Sequence, residues 1–231
     1  QRPEDLIFLA RHDGDLVARW QALNTLFTDA LIKGYRAVRT QRKPAYDDAL
    51  AWAAGEIAAD AALEPAYRAL ALTLPAEADI AREIGFDIDP DAILAARDGL
   101  VRAIAARNGD VFADLYERLS SNEPFRPDAE SAGRRALRNV LLDYLAAGAE
   151  TPARAARQFA QATNMTDKTA AMTVLAHRFP GQTQAQAALA AFEAAHGDDP
   201  LVLDKWYQTQ ATVPGAAAVG LVEALTRHHG F

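Results

Sequence analysis

Histidine and glutamate are the residues of this sequence whose types could support metal chemistry. A zinc hydrolase of the His-Glu-x-x-His kind needs two histidines four residues apart on one helix, and a glutamate that activates the metal-bound water. The histidines of this chain are His12, His177, His196, His228 and His229. No two of them have the required spacing, so the sequence excludes this zinc motif within its 231 residues.

Glu193 and His196 form a second arrangement that could bind a metal, because side chains three residues apart lie on one face of a helix. Di-iron bundles use such a pair twice, together with two more glutamates. A second Glu-x-x-His does not occur here, and a cationic His196 before Gly197 suits the end of a helix. We therefore interpret His196 as structural, expect His228 and His229 to be exposed, and predict no metal-binding residue.

Nucleophilic and phosphate-binding motifs are also missing from the sequence. It contains no cysteine, and Ser120, Ser121 and Ser131 do not lie in a Gly-x-Ser-x-Gly motif. It has no glycine-rich phosphate loop. Paired aspartates such as Asp47 and Asp48 fall where helices begin, where helix capping is enough to explain them. The sequence therefore predicts no catalytic residue and no cofactor-binding residue.

Two polar segments have both a structural and a functional interpretation. The segment 164–167, Asn-Met-Thr-Asp, has the form of a glycosylation sequon, but we interpret it as the start of a helix. Arg134, Arg135 and Arg138 lie beside an apolar stripe, which predicts the solvated flank of a helix. Contact between these arginines and a partner or an acidic ligand is the alternative.

The overall composition argues against a nucleic-acid or membrane partner. The formal net charge is −7, whereas binding to a phosphate backbone requires clustered lysine and arginine. No apolar stretch approaches the ~20 residues that span a bilayer. The amino terminus has neither a signal-peptide pattern nor an initiator methionine, so we expect the chain to be a piece of a longer protein.

Hydrophobic periodicity predicts an all-α protein. Apolar residues such as Leu16 and Trp20 recur every three or four positions, which places them on one stripe of a helix. A polar residue followed by proline marks helix starts at Asp89-Pro90, Thr151-Pro152 and Asp199-Pro200. Glycines after periodic segments mark helix ends, at Gly85, Gly109, Gly148, Gly181 and Gly197.

These boundaries predict about twelve antiparallel helices in an irregular helical-repeat, α-solenoid-like array. The helices are predicted over residues 15–40, 45–59, 64–73, 76–84, 89–107, 110–120, 130–147, 152–162, 166–178, 183–196, 200–211 and 215–229. A globular bundle is the alternative arrangement.

The predicted domain organisation separates a short amino-terminal segment from the helices. Residues 5–10 form an apolar run with strand character, so residues 1–11 are predicted to be the tail of a preceding domain or a linker. Residues 12–231 form the helical-repeat domain. The irregular segment 120–129, which contains two prolines, is predicted to divide that domain into two halves.

The segment 201–206, Leu-Val-Leu-Asp-Lys-Trp, resembles part of the carboxyl-terminal helical domain of bacterial aminopeptidase N, a zinc metallo-aminopeptidase of the gluzincin family. Further segments resemble that domain in the same order, at residues 15–20, 72–75, 87–90, 135–139 and 164–167. Each match is short, but the shared order over most of the chain makes the resemblance specific.

The resemblance implies a function through the intact parent enzyme. In this family the helical domain follows a catalytic domain and a β-sandwich, so residues 1–11 would be the last β-sandwich strand and the helical domain would be truncated at its carboxyl-terminal end. Zinc would lie in the parent's catalytic domain, and this chain alone would be neither an enzyme nor a cofactor-binding protein. It would cap the catalytic cavity and restrict access to peptides, from which the parent removes amino-terminal residues.

The resemblance also implies partners and a location. The partners would be the catalytic and β-domains of the parent chain and its peptide substrates, with no nucleic acid and no membrane, and the location would be cytoplasmic. A free-standing helical-repeat adaptor that binds a protein segment on its concave face is the alternative function.

Within the segment 201–212, the helical period separates core positions from surface positions. Val202, Leu203, Trp206 and Tyr207 are adjacent on one helical face, so they are predicted to pack in the core. Lys205, like its neighbour Asp204, is predicted to point away from it. The segment that carries the resemblance is therefore expected to stabilise packing between repeats.

Overall fold

The structure, a computed structural model, describes residues 2–121 and 124–231. Within these ranges the regular secondary structure is entirely α-helical. The fold class predicted from the sequence is therefore confirmed. No helix in these ranges combines the length and the apolar character needed to cross a lipid bilayer. In chain order, the helices are α1 (Pro3–His12), α2 (Leu16–Arg39), α3 (Asp48–Ala59), α4 (Pro65–Leu72), α5 (Glu77–Ile84), α6 (Pro90–Arg118), α7 (Ala129–Ala147), α8 (Ala153–Gln161), α9 (Met165–Arg178), α10 (Thr183–His196), α11 (Pro200–Ala211) and α12 (Ala218–Leu225).

The helices form two compact units. The first contains α1 to α7, and the second contains α8 to α12 together with residues 124–125. The boundary lies after Gly148, whereas the sequence predicted a division within residues 120–129. The difference arises because α7, which follows that irregular segment, packs against α4 and α6 of the first unit.

Residues 5–10 are helical, so the strand predicted for them is wrong. They belong to α1, which has Pro3 at its first position and the acidic Glu4 and Asp5 in its first turn, where they complement the helix dipole. The buried residues Leu6 and Ala10 lie four positions apart, which is the spacing of one helical face. α1 packs against α2 and α3 and is part of the first unit.

α6 continues through Gly109, although the sequence predicted two helices over residues 89–107 and 110–120. Glycine inside a helix costs only about 1 kcal/mol relative to alanine. The burial of Phe112 and Tyr116 beyond it offsets that cost. Gly85, in contrast, has a φ of 85° and ends α5 as predicted.

Two of the three predicted polar-proline helix starts have the expected geometry. The carboxylate of Asp89 accepts a hydrogen bond from the Ala92 backbone N–H at 3.1 Å, and that of Asp199 accepts one from Leu201 at 3.1 Å. At the third, Pro152 itself precedes the first residue of α8 and no side chain caps the helix. Thr151 is therefore not the N-cap that the sequence predicted.

Two buried arginines bind carbonyl groups at the carboxyl-terminal ends of helices. The last carbonyls of a helix have no partner within it. Arg19 of α2 donates from Nε to the Ala10 oxygen of α1 at 3.0 Å, and Arg68 of α4 donates from Nη1 to the Ala58 oxygen of α3 at 3.0 Å. Burial lowers the pKa of Arg68. Each arginine thus binds a carbonyl group of the helix that precedes its own in the chain.

α3 and α6 approach each other closely at Gly55. A Cβ atom at this position would lie 2.0 Å from Oδ1 of Asn108, which is far inside contact distance. Asn108 is buried and donates from Nδ2 to the carbonyl oxygens of Ala51 at 2.7 Å and Ile104 at 2.9 Å. Gly55 therefore makes room for a buried amide that joins the two helices.

A tyrosine fills the space between α2 and α6. The hydroxyl of Tyr46 donates to the Ala96 carbonyl oxygen of α6 at 2.6 Å. A Cβ atom would lie 2.9 Å from this hydroxyl at Gly34 of α2 and 2.7 Å from it at Gly99 of α6. Partial burial, with a smaller contribution from the Asp98 carboxylate, raises the pKa of Tyr46 to about 12.

We expect the substitution Gly55→Ala to lower the free energy of unfolding by about 2–4 kcal/mol, because the added methyl group displaces the buried amide of Asn108. Urea denaturation followed by circular dichroism measures the change. Gly109→Ala is the matched control: nothing lies within 4 Å of its added Cβ, so this variant should gain about 0.5–1 kcal/mol. Equal stability of the two variants would contradict the proposed close contact.

We expect Tyr46→Phe to change how stability depends on alkaline pH. Because the folded state holds the Tyr46 proton more tightly than the unfolded state, this group stabilises the fold below about pH 10 and loses that contribution as pH rises towards about 12. Between these values the free energy of unfolding should therefore fall less steeply in Tyr46→Phe than in the parent chain. Parallel pH profiles for the two proteins would refute this expectation.

Candidate functional site

The segment 201–206 that carries the resemblance lies in α11 of the second unit. Leu203 and Trp206 are buried, and Val202 and Tyr207 pack against the same core, whereas Lys205 is exposed. The prediction of a core face and a surface face is therefore confirmed. This core also contains Met172, Phe192 and Leu225.

Trp206 also makes the polar contact that connects α11 to α10. Its indole Nε1–H donates to the Leu189 carbonyl oxygen at 3.0 Å. Its ring lies 5.0 Å, centroid to centroid, from the ring of His228 in the turn after α12. The buried indole contributes apolar area to the packing of α10, α11 and the turn after α12. Its hydrogen-bonded N–H fixes the orientation of the ring.

A hydrogen-bonded chain of three side chains connects α11, the turn after α12, and α10. The Tyr207 hydroxyl lies 2.5 Å from Nδ1 of His228, and Nε2 of His228 lies 2.8 Å from a carboxylate oxygen of Glu193. The backbone N–H of Gly230 donates to Nδ1 at 3.2 Å. Because a backbone N–H can only donate, we assign the proton of neutral His228 to Nε2, which donates it to Glu193.

Burial and the nearby carboxylates keep the Tyr207 hydroxyl protonated. Desolvation raises its pKa, and the negative charges of Glu193 and Asp204 raise it further. A protonated hydroxyl can either donate or accept a hydrogen bond. Tyr207 can therefore remain bonded to His228 in either neutral tautomer of the imidazole.

His229 extends this chain of side chains to the surface. Its ring centroid lies 4.3 Å from that of His228, and its side chain is exposed. It lies beside an open depression of about 410 Å³ whose lining also includes Glu193 and Asp198. Glu193, His228 and His229 each offer one ligand atom, and these atoms lie within 4.8 Å of one another; in the described part of the chain this is the group of three with such geometry.

The structure separates the pair that the sequence considered for metal binding. The His196 ring packs 4.9 Å from the ring of Phe192, whereas Glu193 faces His228. The expectation that His228 is exposed is wrong, because only 16% of its side chain is accessible. No local sequence pattern reveals this contact, because its partners are 35 residues apart and belong to different helical segments.

The arginines of α7 are half-buried, so the predicted solvated flank is only partly correct. The Arg138 guanidinium lies 4.6 Å over the Tyr116 ring and donates to its hydroxyl at 3.2 Å. Arg135 donates to the Arg126 carbonyl oxygen at 3.1 Å. These contacts fasten α7 to α6 and to the segment before α7.

The predicted cap at Asn164 is confirmed, since its side chain accepts from the Asp167 backbone N–H at 2.9 Å.

The chain belongs to a family described as a domain of unknown function with ARM repeats (DUF3458_C), whose pattern matches residues 3–231. This family membership agrees with the helical-repeat array predicted from the sequence.

Within that class, the chain is similar to bacterial proteins named aminopeptidase N. It is 39% identical to that of Caulobacter vibrioides over 234 residues, 32% identical to that of Escherichia coli over 232 residues, and 30% identical to that of Haemophilus influenzae over 236 residues. These matches cover 99–100% of this chain but only 26% of each relative. The resemblance to the carboxyl-terminal domain of this family is thereby confirmed.

A solved structure of Legionella pneumophila aminopeptidase A in complex with aspartic acid has the same fold. It superposes with a TM-score of 0.83 over 99% of this chain and 27% of its own, at 22% sequence identity. The chain thus spans about a quarter of the length of the proteins that it matches.

We expect Trp206→Phe to lower the free energy of unfolding by about 2 kcal/mol, because it removes the Nε1–H hydrogen bond and part of the buried area. The exposed neighbour provides the control: Lys205→Ala should change stability by less than about 0.5 kcal/mol. Urea denaturation followed by circular dichroism distinguishes them. A larger effect of Lys205→Ala would show that the surface face, and not the core face, matters for folding.

Proposed function

We propose that this chain is the carboxyl-terminal domain of a zinc aminopeptidase N and that it caps the catalytic cavity of the parent enzyme. In this role it limits access to peptides and to short amino-terminal segments. The parent enzyme removes amino-terminal residues from peptides. The chain itself contributes no reacting group and is inactive alone.

One observation carries the proposal: aminopeptidase N relatives from three bacteria match this chain from end to end, yet the match accounts for only 26% of each. A domain that forms a quarter of a longer enzyme acts together with the rest of that chain. The sequence contains no His-Glu-x-x-His, so the gluzincin zinc ligands would belong to another part of the parent.

The packing of the first unit supports a steric role. α6 extends over 29 residues and packs against α2, α3, α5 and α7, with close contacts at Gly55 and Gly99 that leave little freedom between helices. Such a rigid wall can exclude folded proteins and bulk water from a confined site without taking part in bond making. Its partners are the catalytic and β-domains of the parent and the peptides admitted to the cavity, in the cytoplasm.

The first test determines the full coding sequence around these residues. We expect an upstream His-Glu-x-x-His in the same open reading frame. A short gene that encodes little beyond the 231 residues would overturn the proposal and leave the free-standing adaptor.

The second test measures substrate size selectivity. We expect the native gene product to cleave a short chromogenic amide at least ten-fold more efficiently, as kcat/KM, than a folded protein that presents the same amino-terminal residue. The remainder of the gene product, prepared without these 231 residues, should show a smaller ratio, and adding the 231-residue chain in trans should restore it. The chain alone, as the control, should cleave neither substrate. An unchanged ratio with and without the chain would contradict the capping role.

A further inference from the structure

The cluster of Glu193, His228 and His229 has the ligand chemistry of a transition-metal site. Two imidazole nitrogens and one carboxylate oxygen form a set that suits zinc and its neighbours, and three protein ligands leave a fourth position for water. Hard ions such as calcium prefer six to eight oxygen ligands, which this cluster does not offer. The residue types therefore favour a zinc-like ion over calcium or magnesium.

The geometry requires one side chain to move. Ligand atoms around a tetrahedral zinc ion are about 3.3 Å apart, given metal–ligand distances near 2.0–2.1 Å. His228 Nε2 and the Glu193 carboxylate are already 2.8 Å apart. All three ligand atoms lie within 4.8 Å of one another, and the third residue, His229, is exposed and can rotate without disturbing the core. Rotation of the His229 ring towards the other two ligands completes the set.

Tyr207 acts as a positioning residue for the ligand His228. Binding through Nε2 requires the tautomer of neutral His228 whose proton is on Nδ1. That proton can be donated to the Tyr207 oxygen, which lies 2.5 Å away, although the weaker contact with the Gly230 N–H is lost. The side chain that fixes the ring without an ion can thus also fix it with one, which is the usual role of a residue behind a metal ligand.

The open depression beside the cluster gives an ion access. Glu193, Asp198 and His229 are among the residues that line it, so a cation approaches past two carboxylates. The mouth is open to solvent, which provides the water for the fourth coordination position.

We propose that Glu193, His228 and His229 bind one divalent transition-metal ion of the zinc type, which clamps the turn after α12 to α10. The site stands independently of the proposed aminopeptidase function, because its tests measure metal binding and stability and not hydrolysis. The proposal departs from the sequence analysis, which predicted no metal-binding residue and paired Glu193 with His196.

Isothermal titration of the tag-free 231-residue chain with ZnCl₂ tests the site directly. We expect one ion per chain, no comparable binding of CaCl₂, and at least a ten-fold weaker zinc affinity in His229→Asn. Because His229 is exposed, this variant should fold normally, which circular dichroism verifies. His12→Asn, which removes an exposed histidine of the first unit, is the matched control and should bind zinc like the parent chain.

Two further measurements separate coordination from adventitious binding. With zinc at about 100-fold excess over its Kd, the melting midpoint of the chain should rise by at least about 5 °C, and the rise should vanish in His229→Asn. Glu193→Gln, which keeps a hydrogen-bond acceptor for His228, should also weaken zinc binding at least ten-fold. The absence of saturable binding, or equal loss in His12→Asn and His229→Asn, would overturn the proposal.

Discussion

The amide of Asn108 determines how closely α3 can approach α6, and α6 is the helix around which the first unit is built. The Asn108 Nδ2 group donates hydrogen bonds to carbonyl oxygens on both helices, at Ala51 and Ile104, in a buried environment. An unsatisfied polar group there would cost about 1–3 kcal/mol, so the contact is stable only when the helices are in register. Gly55 makes that register possible because its missing side chain leaves room for the amide.

The same principle recurs on the opposite side of α6. Gly34 and Gly99 leave space for the Tyr46 hydroxyl, which bonds to a backbone oxygen of α6. At Gly55 and between Gly34 and Gly99, a polar group occupies the volume that a larger side chain in place of glycine would fill. Each of these polar groups is hydrogen-bonded. Glycine in these helices therefore serves close packing, whereas at Gly85 it serves a turn with positive φ.

Helix type and most helix boundaries were predictable because they depend on neighbours in sequence. Asp89 and Asp199 cap their helices through backbone groups two or three residues ahead, and the period of the apolar residues identifies the buried face of α11. The errors have the same origin. Gly109 was predicted to end a helix because local propensity alone does not include the burial of Phe112 and Tyr116, which holds α6 together beyond it.

The candidate site was predictable only in part. The sequence paired Glu193 with His196 and predicted no metal-binding residue. The contact of Glu193 with His228 depends on how α10, α11 and the turn after α12 pack, and no local pattern contains that information. The residues next to His228 in the sequence give no indication that its side chain is buried. A histidine adjacent to another histidine offers no periodic signal.

The arginines that complete helix ends couple successive helices of the first unit. If α1 detached alone, the buried Arg19 guanidinium would lose the Ala10 oxygen, and the detachment of α3 would do the same to Arg68. A hydrogen bond to a charged group contributes about 1.5–3 kcal/mol, and this contribution would be lost even though Arg19 keeps its ion pair with Asp60. The contact between successive helices is thus strong relative to the intrinsic stability of a single helix, and α1 and α3 resist detaching singly. Such contacts are the nearest-neighbour interface terms that add to the stability of each repeat in a helical array.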